Sequence, residues 1–396
     1  MRSPDYVILW QGNLLTILAF WMGQTVEGYL TYLLTGSPVA LSLIGLARSI
    51  PMVFVSPFAG VLADRVNRIK LMAVSQLIAA LITISLGILV LLGFLQVWYL
   101  YAAALMSGSA MVCNFPARQA LVVKSVGKEN VMNAMAVHST TVGAGRIIGP
   151  QIATALIVLA GAAFSYFAQS LAYLISTLNL KRLQLEETDI ATNRGTSFLA
   201  NLRSGFAYTI KHHELKLVLI IGVIVTSLVM PYMLFLPAIA SDVLNSPERG
   251  LALLMGASGA GGLIGAMVVA ATSHFQAKGW LLLLTSLTFA LLTLAFSLSN
   301  SMLLSMLLLV GAGMSSGASM TIVGALLQIL VPDELRGRMG SIQMLMWGLT
   351  AIGGLPMGAI ATVTGVPLTI TISSTLAACL IALIGISSKT VRGIYS

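Results

Sequence analysis

The amino-acid sequence predicts an all-α membrane protein with twelve transmembrane helices, arranged as two six-helix halves that are related by a parallel pseudo-two-fold repeat. Three observations support this prediction: an apolar composition, apolar stretches of membrane length, and residues that recur at a fixed distance along the chain. The 396-residue chain is 58% hydrophobic and only 8% charged, with a mean hydropathy of +0.96. Soluble domains carry about 25% charged residues, so a soluble fold would expose mostly apolar surface.

Each apolar stretch is long enough to cross about 30 Å of hydrocarbon as a helix. These stretches divide the chain into an N-terminal half (1–180), a cytoplasmic linker (181–214) and a C-terminal half (215–396). In the linker, residues 196–211 carry apolar side chains at helical spacing, which predicts a helix lying on the membrane surface. The predicted spans are 7–33, 39–63, 70–93, 96–122, 132–160, 162–180, 215–241, 249–273, 279–299, 302–330, 339–363 and 366–388.

Basic residues lie almost entirely on one side of the predicted membrane. If the amino terminus is cytoplasmic, the opposite side receives only Arg249. By the positive-inside rule, both termini are then cytoplasmic. The net charge of +9 is therefore interpreted as a topology signal, not as a nucleic-acid surface. The cytoplasmic bases are Arg65, Arg68, Lys70, Lys124, Lys128, Lys181, Arg182, Arg194, Arg203, Lys211, Lys216, Lys278, Arg336, Arg338, Lys389 and Arg392.

The second half repeats residues of the first at a constant offset of 205 positions. A parallel repeat of this kind predicts a substrate site at mid-membrane between two halves that rock to alternate access. The alternative is that glycines simply recur in helix interfaces, where small residues permit close packing. The recurring glycines are Gly60, Gly108, Gly143 and Gly149, which align with Gly265, Gly313, Gly348 and Gly354.

Four charged side chains lie well inside predicted spans, away from the span ends, where hydrocarbon makes a charge costly and a functional role the default hypothesis. At the same offset the second half has only uncharged residues, namely Tyr232, Leu253, Val323 and Ala351. The architecture therefore does not require these charges, which favours substrate binding or coupling. The four are Glu27, Arg48, Arg118 and Arg146.

Glu27 and Arg48 lie at comparable depths in the first two spans, which run in opposite directions, so an ion pair is plausible. In one interpretation Glu27 carries a proton, and its protonation depends on whether Arg48 or the substrate neutralises it. In the other, the two residues form a static salt bridge. Arg118 lies nearer the cytoplasmic end of the fourth span, where it either reaches Asp64 as a latch or snorkels to the interface.

Arg146 lies near the midplane of the fifth span, too deep to snorkel easily, which predicts that it lines a cavity and binds an anionic or zwitterionic substrate group. Gly145 and Gly149 share one face of that helix and permit close packing, and Pro150 can kink it. In the eleventh span, Gln343 and Trp347 share one face of the helix. That face either lines the substrate cavity or contacts the surrounding lipid.

One motif carries a family resemblance. The segment from Gly60 to Leu71, with Asp64, Arg65 and Arg68, resembles the Gly-x-Leu-Ala-Asp-Arg-x-Gly-Arg-Lys loop of the major facilitator superfamily. Asn67 replaces the second glycine, and Asn tolerates the left-handed conformation that a tight turn there would need. The resemblance implies that Asp64, Arg65 and Arg68 hold a cytoplasmic gate. We group Gly60 of the same loop and Arg118, as the candidate latch, with this gating motif.

Further segments resemble the bacterial drug and siderophore exporter branch, which includes macrolide-efflux and enterobactin-exporter proteins. The resemblance implies a monomeric exporter in the bacterial inner membrane, driven by protons, acting on amphipathic small molecules and using no cofactor or metal. An alternative of the same fold is a lysophospholipid flippase in which Arg146 or Arg48 holds the phosphate. The segments are Leu33-Leu-Thr-Gly-Ser37, Leu46-Ala-Arg48-Ser-Ile-Pro51 and Gly145-Arg146-Ile-Ile-Gly149-Pro150.

Other classes of membrane protein fit less well. A membrane-embedded enzyme would need a cluster of catalytic groups, and the sequence has neither paired intramembrane acids nor a His-Glu-x-x-His zinc motif. A Walker-type phosphate loop is also missing from the sequence, which argues against ATP-driven transport by this chain. A channel would need neither the gate loop nor the two-half repeat.

Overall fold

A computed structural model describes residues 4–55, 66–126, 130–183, 206–271, 277–332 and 336–388. Within these ranges the regular elements are all helices. The end of the linker, 206–211, is helical, whereas the rest of the predicted surface helix lies outside the described residues. The helices are α1 (Pro4–Thr35), α2 (Pro38–Phe54), α3 (Arg68–Leu91), α4 (Val97–Val126), α5 (Val131–Ala160), α6 (Ala162–Leu180), α7 (His213–Val243), α8 (Pro247–Ala271), α9 (Lys278–Ser297), α10 (Met302–Ile329), α11 (Arg336–Thr364) and α12 (Val366–Ser387).

Eight helices in the described ranges contain a segment that is long and apolar enough to cross a membrane: α1, α3, α5, α7, α8, α9, α10 and α12. Two shorter apolar stretches, Pro38–Met52 and Gly348–Thr364, lie in α2 and α11. The chain is therefore an all-helical, multi-pass membrane protein. The count of twelve spans stays a prediction.

The turn before α3 differs from the sequence expectation. Asn67 has a φ of −48°, so it does not adopt the left-handed conformation. Its side-chain oxygen instead accepts a hydrogen bond of 2.7 Å from the backbone N–H of Lys70. Asn is among the preferred N-cap residues because it satisfies an N–H group that the first helical turn leaves without a partner. Asn67 therefore begins α3.

Helix α7 is irregular in its second part. It is α-helical at His213–Ile224 and then passes through a π-helical turn at Val225–Val229 and a 3₁₀ turn at Met230–Phe235. A second π turn follows at Ile239–Val243. Two prolines, Pro231 and Pro237, lie in the irregular region, and each removes a backbone donor that a regular α-helix would use.

The chain forms two compact units. Unit 1 comprises Met1–Thr35 and Ala47–Gly195, and unit 2 comprises Gly36–Leu46 and Thr196–Ser396. In unit 1, the helices α1, α3, α4 and α6 share an apolar core. Its buried residues are Leu9, Leu71, Met72, Ala117, Leu121 and Leu180.

In unit 2, α8 and α10 pack with their backbones in close approach. A Cβ atom at Gly313 would overlap the carbonyl oxygen of Ser258, and one at Gly265 would overlap that of Met314. Small residues permit this approach, which maximises van der Waals contact between membrane helices.

We expect Gly313→Ala to lower the melting temperature, because the added methyl group forces two backbones apart and overpacking costs about 1–3 kcal/mol. Gly385→Ala is the matched control, since a Cβ there would lie 3.6 Å from the Leu283 side chain, an ordinary contact. Thermal unfolding in detergent compares the two variants. Equal losses in both would contradict the close-packing argument.

Candidate functional site

An ion pair joins α1 to α2 in unit 1. Arg48 Nη2 donates a hydrogen bond to Glu27 Oε2, and Glu27 is only 5% exposed. The guanidinium of Arg48 also lies 5.9 Å from the centre of the Phe20 ring. Ala19, Gly23 and Glu27 are buried and lie four residues apart along α1, so helical periodicity places the carboxylate on the face that points into the unit.

The polar side chain of Gln169 on α6 approaches this ion pair, an arrangement that the sequence did not predict. A Cβ atom at Gly23 would lie 3.0 Å from Gln169 Oε1 and 3.9 Å from Glu27 Oε1. Gln169 is buried and its amide donates to the backbone oxygen of Ser165 at 3.1 Å. Gly23 therefore leaves the space that brings an amide of α6 near the carboxylate. The sequence did contain one indication of Gln169, namely that it is a polar residue within an otherwise apolar helix.

Arg146 lies on α5 against α1. Its guanidinium carbon is 5.7 Å from the centre of the Trp21 ring, in cation–π range. Next to it, a Cβ at Gly149 would lie 3.2 Å from the backbone oxygen of Leu18, and a Cβ at Gly145 would overlap the side chain of Ile17. The two glycines therefore let α5 approach α1 closely, and Arg146 lies at the edge of that contact.

Arg118 lies on α4 and is 5% exposed. Its Nε donates to Asn114 Oδ1 at 3.1 Å, and its Nη1 donates to Asn13 Oδ1 at 2.9 Å. A longer contact of 3.4 Å joins Nη2 to Thr16 Oγ1. The Asn13 amide nitrogen in turn lies 3.0 Å from His138 Nδ1. Neutral groups on α1 and α4 thus hold this buried cation.

The gate residues are only partly placed. Gly60, Asp64 and Arg65 lie outside the described residues, so the predicted contact between Arg118 and Asp64 is not addressed. Arg68 is in the first turn of α3.

In unit 2, Gln343 on α11 packs with its side-chain amide against Gly324 of α10. The backbone of Trp347 continues α11, and its side chain is not described.

Unit 2 contains a buried, uncharged pair that the 205-residue offset aligns with Glu27. Tyr232, the counterpart of Glu27 at the 205-residue offset, is 1% exposed. Its hydroxyl is 2.7 Å from Ser258 Oγ. The Tyr232 ring also packs edge-on against Phe289 and Phe296. The 205-residue offset therefore aligns a neutral hydrogen bond of unit 2 with the carboxylate of unit 1.

The Glu27–Arg48 ion pair can change its charge state in a water-poor environment. A buried carboxylate paired with a guanidinium loses much of its stabilisation when either partner is neutralised or diverted. Proton binding to Glu27, or an anion competing for Arg48, would each break the pair. The site therefore has the chemistry of a switch between two charge states.

Comparison with known proteins assigns the family. The profile described as "transmembrane secretion effector" matches residues 1–392. The staphyloferrin A transporter of Staphylococcus aureus is 23% identical over 93% of this chain and 92% of its own length. The multidrug efflux pump Tap of Mycolicibacterium fortuitum is 23% identical over 92% of this chain and 90% of its own length. The enterobactin exporter EntS of Escherichia coli O1:K1 is 26% identical over 76% of this chain and 70% of its own length.

The fold is similar to that of solved transporters. The nucleoside transporter NupG superposes with a TM-score of 0.77 at 13% identity, over 98% of this chain and 100% of NupG. At that identity the likeness concerns the fold alone. Together with the match along nearly the whole sequence, it confirms the resemblance inferred from the motif: the chain belongs to the transmembrane secretion effector family of major facilitator transporters, in the branch of drug and siderophore exporters.

Proposed function

We propose that this transporter is a proton-coupled exporter of amphipathic small molecules that works by alternating access. In this proposal the chain is a monomer in the bacterial inner membrane, with both termini cytoplasmic. The buried Glu27–Arg48 pair carries the proposal, because a membrane helix rarely keeps an acid without a functional reason. Glu27 takes up a proton in one state of the cycle and returns to Arg48 after releasing it.

The proposed twelve-helix, two-half architecture is supported by matching helix contacts within the two units. In unit 1, α1 packs against α5 and α6, and α3 packs against α4 and α6. In unit 2, α7 packs against α11 and α12, and α9 packs against α10 and α12. These are the same pairs shifted by six helices, as a parallel repeat requires.

Two turns support the same repeat. Gly161 connects α5 to α6 with φ and ψ of 96° and 162°. Gly365 connects α11 to α12 with a φ of 81° and a ψ of 156°. Positive φ favours glycine, which has no Cβ atom to clash with the backbone. Equivalent turns with the same unusual conformation would not be expected from glycines that merely recur in helix interfaces.

The proposed gate consists of Gly60, Asp64, Arg65 and Arg68, assisted by Arg118. This assignment rests on the loop motif that the chain shares with its family. The proposed substrate-binding or proton-coupling residues are Glu27, Arg48, Arg146 and Gln343, which lie on α1, α2, α5 and α11. Relatives named as siderophore transporters and as a multidrug pump support an amphipathic cargo.

A thermal-shift panel on purified protein tests the cargo class. The panel contains lipophilic cations, macrolides, catecholate siderophores and lysophospholipids, because a ligand that binds only the folded state raises the melting temperature. We expect a siderophore-like anion to stabilise the wild type and to lose most of that effect in Arg146→Ala. The stabilising compound is then loaded into proteoliposomes to measure movement driven by a pH gradient.

Arg249→Ala is the matched control, since Arg249 lies in the first turn of α8 and is not one of the proposed site residues. Equal stabilisation of wild type and Arg146→Ala by cationic drugs would make Arg146 a packing residue. Stabilisation by lysophospholipids alone, again lost in Arg146→Ala, would favour the flippase. Failure of every stabilising ligand to move with the pH gradient would refute proton-coupled export.

A further inference from the structure

We propose that Gln169 on α6 accepts a hydrogen bond from Glu27 when that carboxyl group is protonated, so that Glu27 has two alternative partners. In the ionised state the carboxylate pairs with Arg48. In the protonated state its O–H group donates to the amide oxygen of Gln169. The proposal deepens the proposed function, on which it rests, because it gives the protonated acid a place in the fold. The evidence is the position, the orientation and the burial of the Gln169 amide.

Two side-chain oxygen atoms, one from α6 and one from α1, meet beside Gly23. Gln169 Oε1 lies 3.0 Å, and Glu27 Oε1 lies 3.9 Å, from the position that a Cβ atom of Gly23 would take. Arg48 donates to the other carboxylate oxygen, Oε2, so Oε1 is the oxygen on the side of Gln169. Since glycine has no Cβ atom, Gly23 places no side chain between the two oxygens. Rotation about the side-chain bonds of Glu27 can therefore bring Oε1 to the amide.

The orientation of the Gln169 amide is fixed by α6 itself. Gln169 Nε2 donates to the backbone oxygen of Ser165, one helical turn earlier, at 3.1 Å. The opposite orientation would place two oxygens at that distance with no proton between them, because an amide oxygen only accepts hydrogen bonds. Gln169 therefore turns its acceptor, and not its donor, toward Glu27.

An acceptor beside a carboxyl group favours one of its two charge states. An ionised carboxylate has only acceptor oxygens, whereas a protonated carboxyl group has one O–H donor. Hydrogen bonding to the neutral form favours that form. When a proton from water binds Glu27 Oε1, a new O–H bond forms, the side chain becomes neutral, and the O–H group donates to Gln169. The guanidinium of Arg48 is then available to an anionic group of the cargo.

Burial strengthens this contact. Glu27 is 5% exposed and Gln169 is 1% exposed, so water competes little with an internal acceptor. Besides Arg48, two tyrosines of α6 interact electrostatically with Glu27, namely Tyr166 and Tyr173. The ionisable side chains that α4 and α5 place against α1 contact it nearer the start of the helix: Arg118 and His138 at Asn13, and Arg146 at Trp21. None of these neighbours is a carboxylic acid, so the signal of a protonated carboxyl group can be assigned to Glu27.

Infrared difference spectra of the purified full-length protein, recorded between alkaline and acidic pH, test this assignment. A carboxyl C=O band that is lost in Glu27→Gln belongs to Glu27, and the pH midpoint of that band measures its protonation. Gln169→Met keeps the length of the side chain and removes the acceptor. We expect this variant to move the midpoint to lower pH by about half to one unit, because a neutral hydrogen bond changes an equilibrium roughly threefold to tenfold. The band should also move to higher frequency, since its O–H group loses a hydrogen-bond partner.

A second variant and a matched control accompany Gln169→Met. The methyl group of Gly23→Ala would lie 3.0 Å from Gln169 Oε1 and displace it, so the midpoint should move in the same direction with the amide still present. Gln76→Met is the control, because Gln76 is a buried amide on α3 that accepts from Thr177 of α6 at 3.2 Å. Thr177 lies about 12 Å along α6 from Gln169, so the midpoint of the Glu27 band should stay unchanged in this variant.

Three results would overturn the proposal. The first is an unchanged midpoint in Gln169→Met. The second is a shift in Gln76→Met as large as that in Gln169→Met. The third is a shift to higher pH in Gln169→Met, because the amide would then donate to the ionised carboxylate.

The infrared band measures protonation without transport, so this proposal and the proposed coupling fail separately. A midpoint that depends on Gln169, in a protein whose transport does not respond to a pH gradient, would keep the contact and refute the coupling. Gradient-driven transport with a midpoint that does not depend on Gln169 would do the reverse. Absence of a Glu27 band at every pH at which the protein stays folded would refute both.

Discussion

We expect Glu27→Gln to abolish transport driven by a pH gradient while the protein stays folded and still binds its substrate. The amide keeps the size of the side chain and an oxygen that accepts a hydrogen bond from Arg48, so the local packing survives. It cannot take up or release a proton in the physiological range. If Glu27 is the coupling group, the variant loses the step that links proton entry to substrate exit.

Two assays on the same proteoliposomes separate coupling from binding. In the first, a pH gradient drives accumulation of the compound found in the thermal-shift panel, and we expect the Glu27→Gln rate to fall to that of protein-free liposomes. In the second, labelled substrate exchanges for unlabelled substrate with no gradient, and we expect this rate to persist. Glu214→Gln is the matched control, since that carboxylate is exposed in the first turn of α7.

Other outcomes have definite meanings. Unchanged gradient-driven transport would remove Glu27 from the mechanism. A loss of both activities together with a lower melting temperature would indicate a static salt bridge, because the substitution would then act only through the fold.

The Glu27–Arg48 contact was predictable because the cost of burying a charge in hydrocarbon turns both side chains toward the protein interior, and their depths are similar. Two charges at similar heights on consecutive antiparallel helices can meet whenever both helices face the same interior. The all-helical membrane fold was predictable for a similar reason, since span length and composition reflect the thickness of hydrocarbon. Both inferences use the position of a residue along the membrane normal.

Features that depend on helix rotation or local backbone geometry were not predictable. The partners of Arg118, Asn13 and Asn114, are neutral residues whose relevance appears only when α1 and α4 are placed side by side. The approach of Gln169 to Glu27 requires the space beside Gly23. The π-helical turns of α7 at Val225–Val229 and Ile239–Val243 do not contain Pro231 or Pro237, so the prolines indicate only the region in which a regular helix is disfavoured.

We expect Arg48→Gln to have the largest effect on stability among the substitutions at this site. Removing the cation leaves the carboxylate of Glu27 buried and without its guanidinium partner, and breaking a buried ion pair on one side costs about 3–5 kcal/mol. The double variant Glu27→Gln/Arg48→Gln has no buried charge at this position, and its two amides can hydrogen-bond to each other. Its melting temperature should therefore return toward that of the wild type.

Under the proposed repeat, unit 2 provides a precedent for this recovery, because Tyr232 and Ser258 form a neutral hydrogen bond at the position that the 205-residue offset aligns with Glu27. If an uncharged pair is sufficient for folding, the charges are retained for another reason. Melting temperature and gradient-driven transport, measured together on both single variants and the double variant, separate the two roles. Recovery of stability without recovery of driven transport would assign the pair to coupling, whereas recovery of both would make it a structural salt bridge.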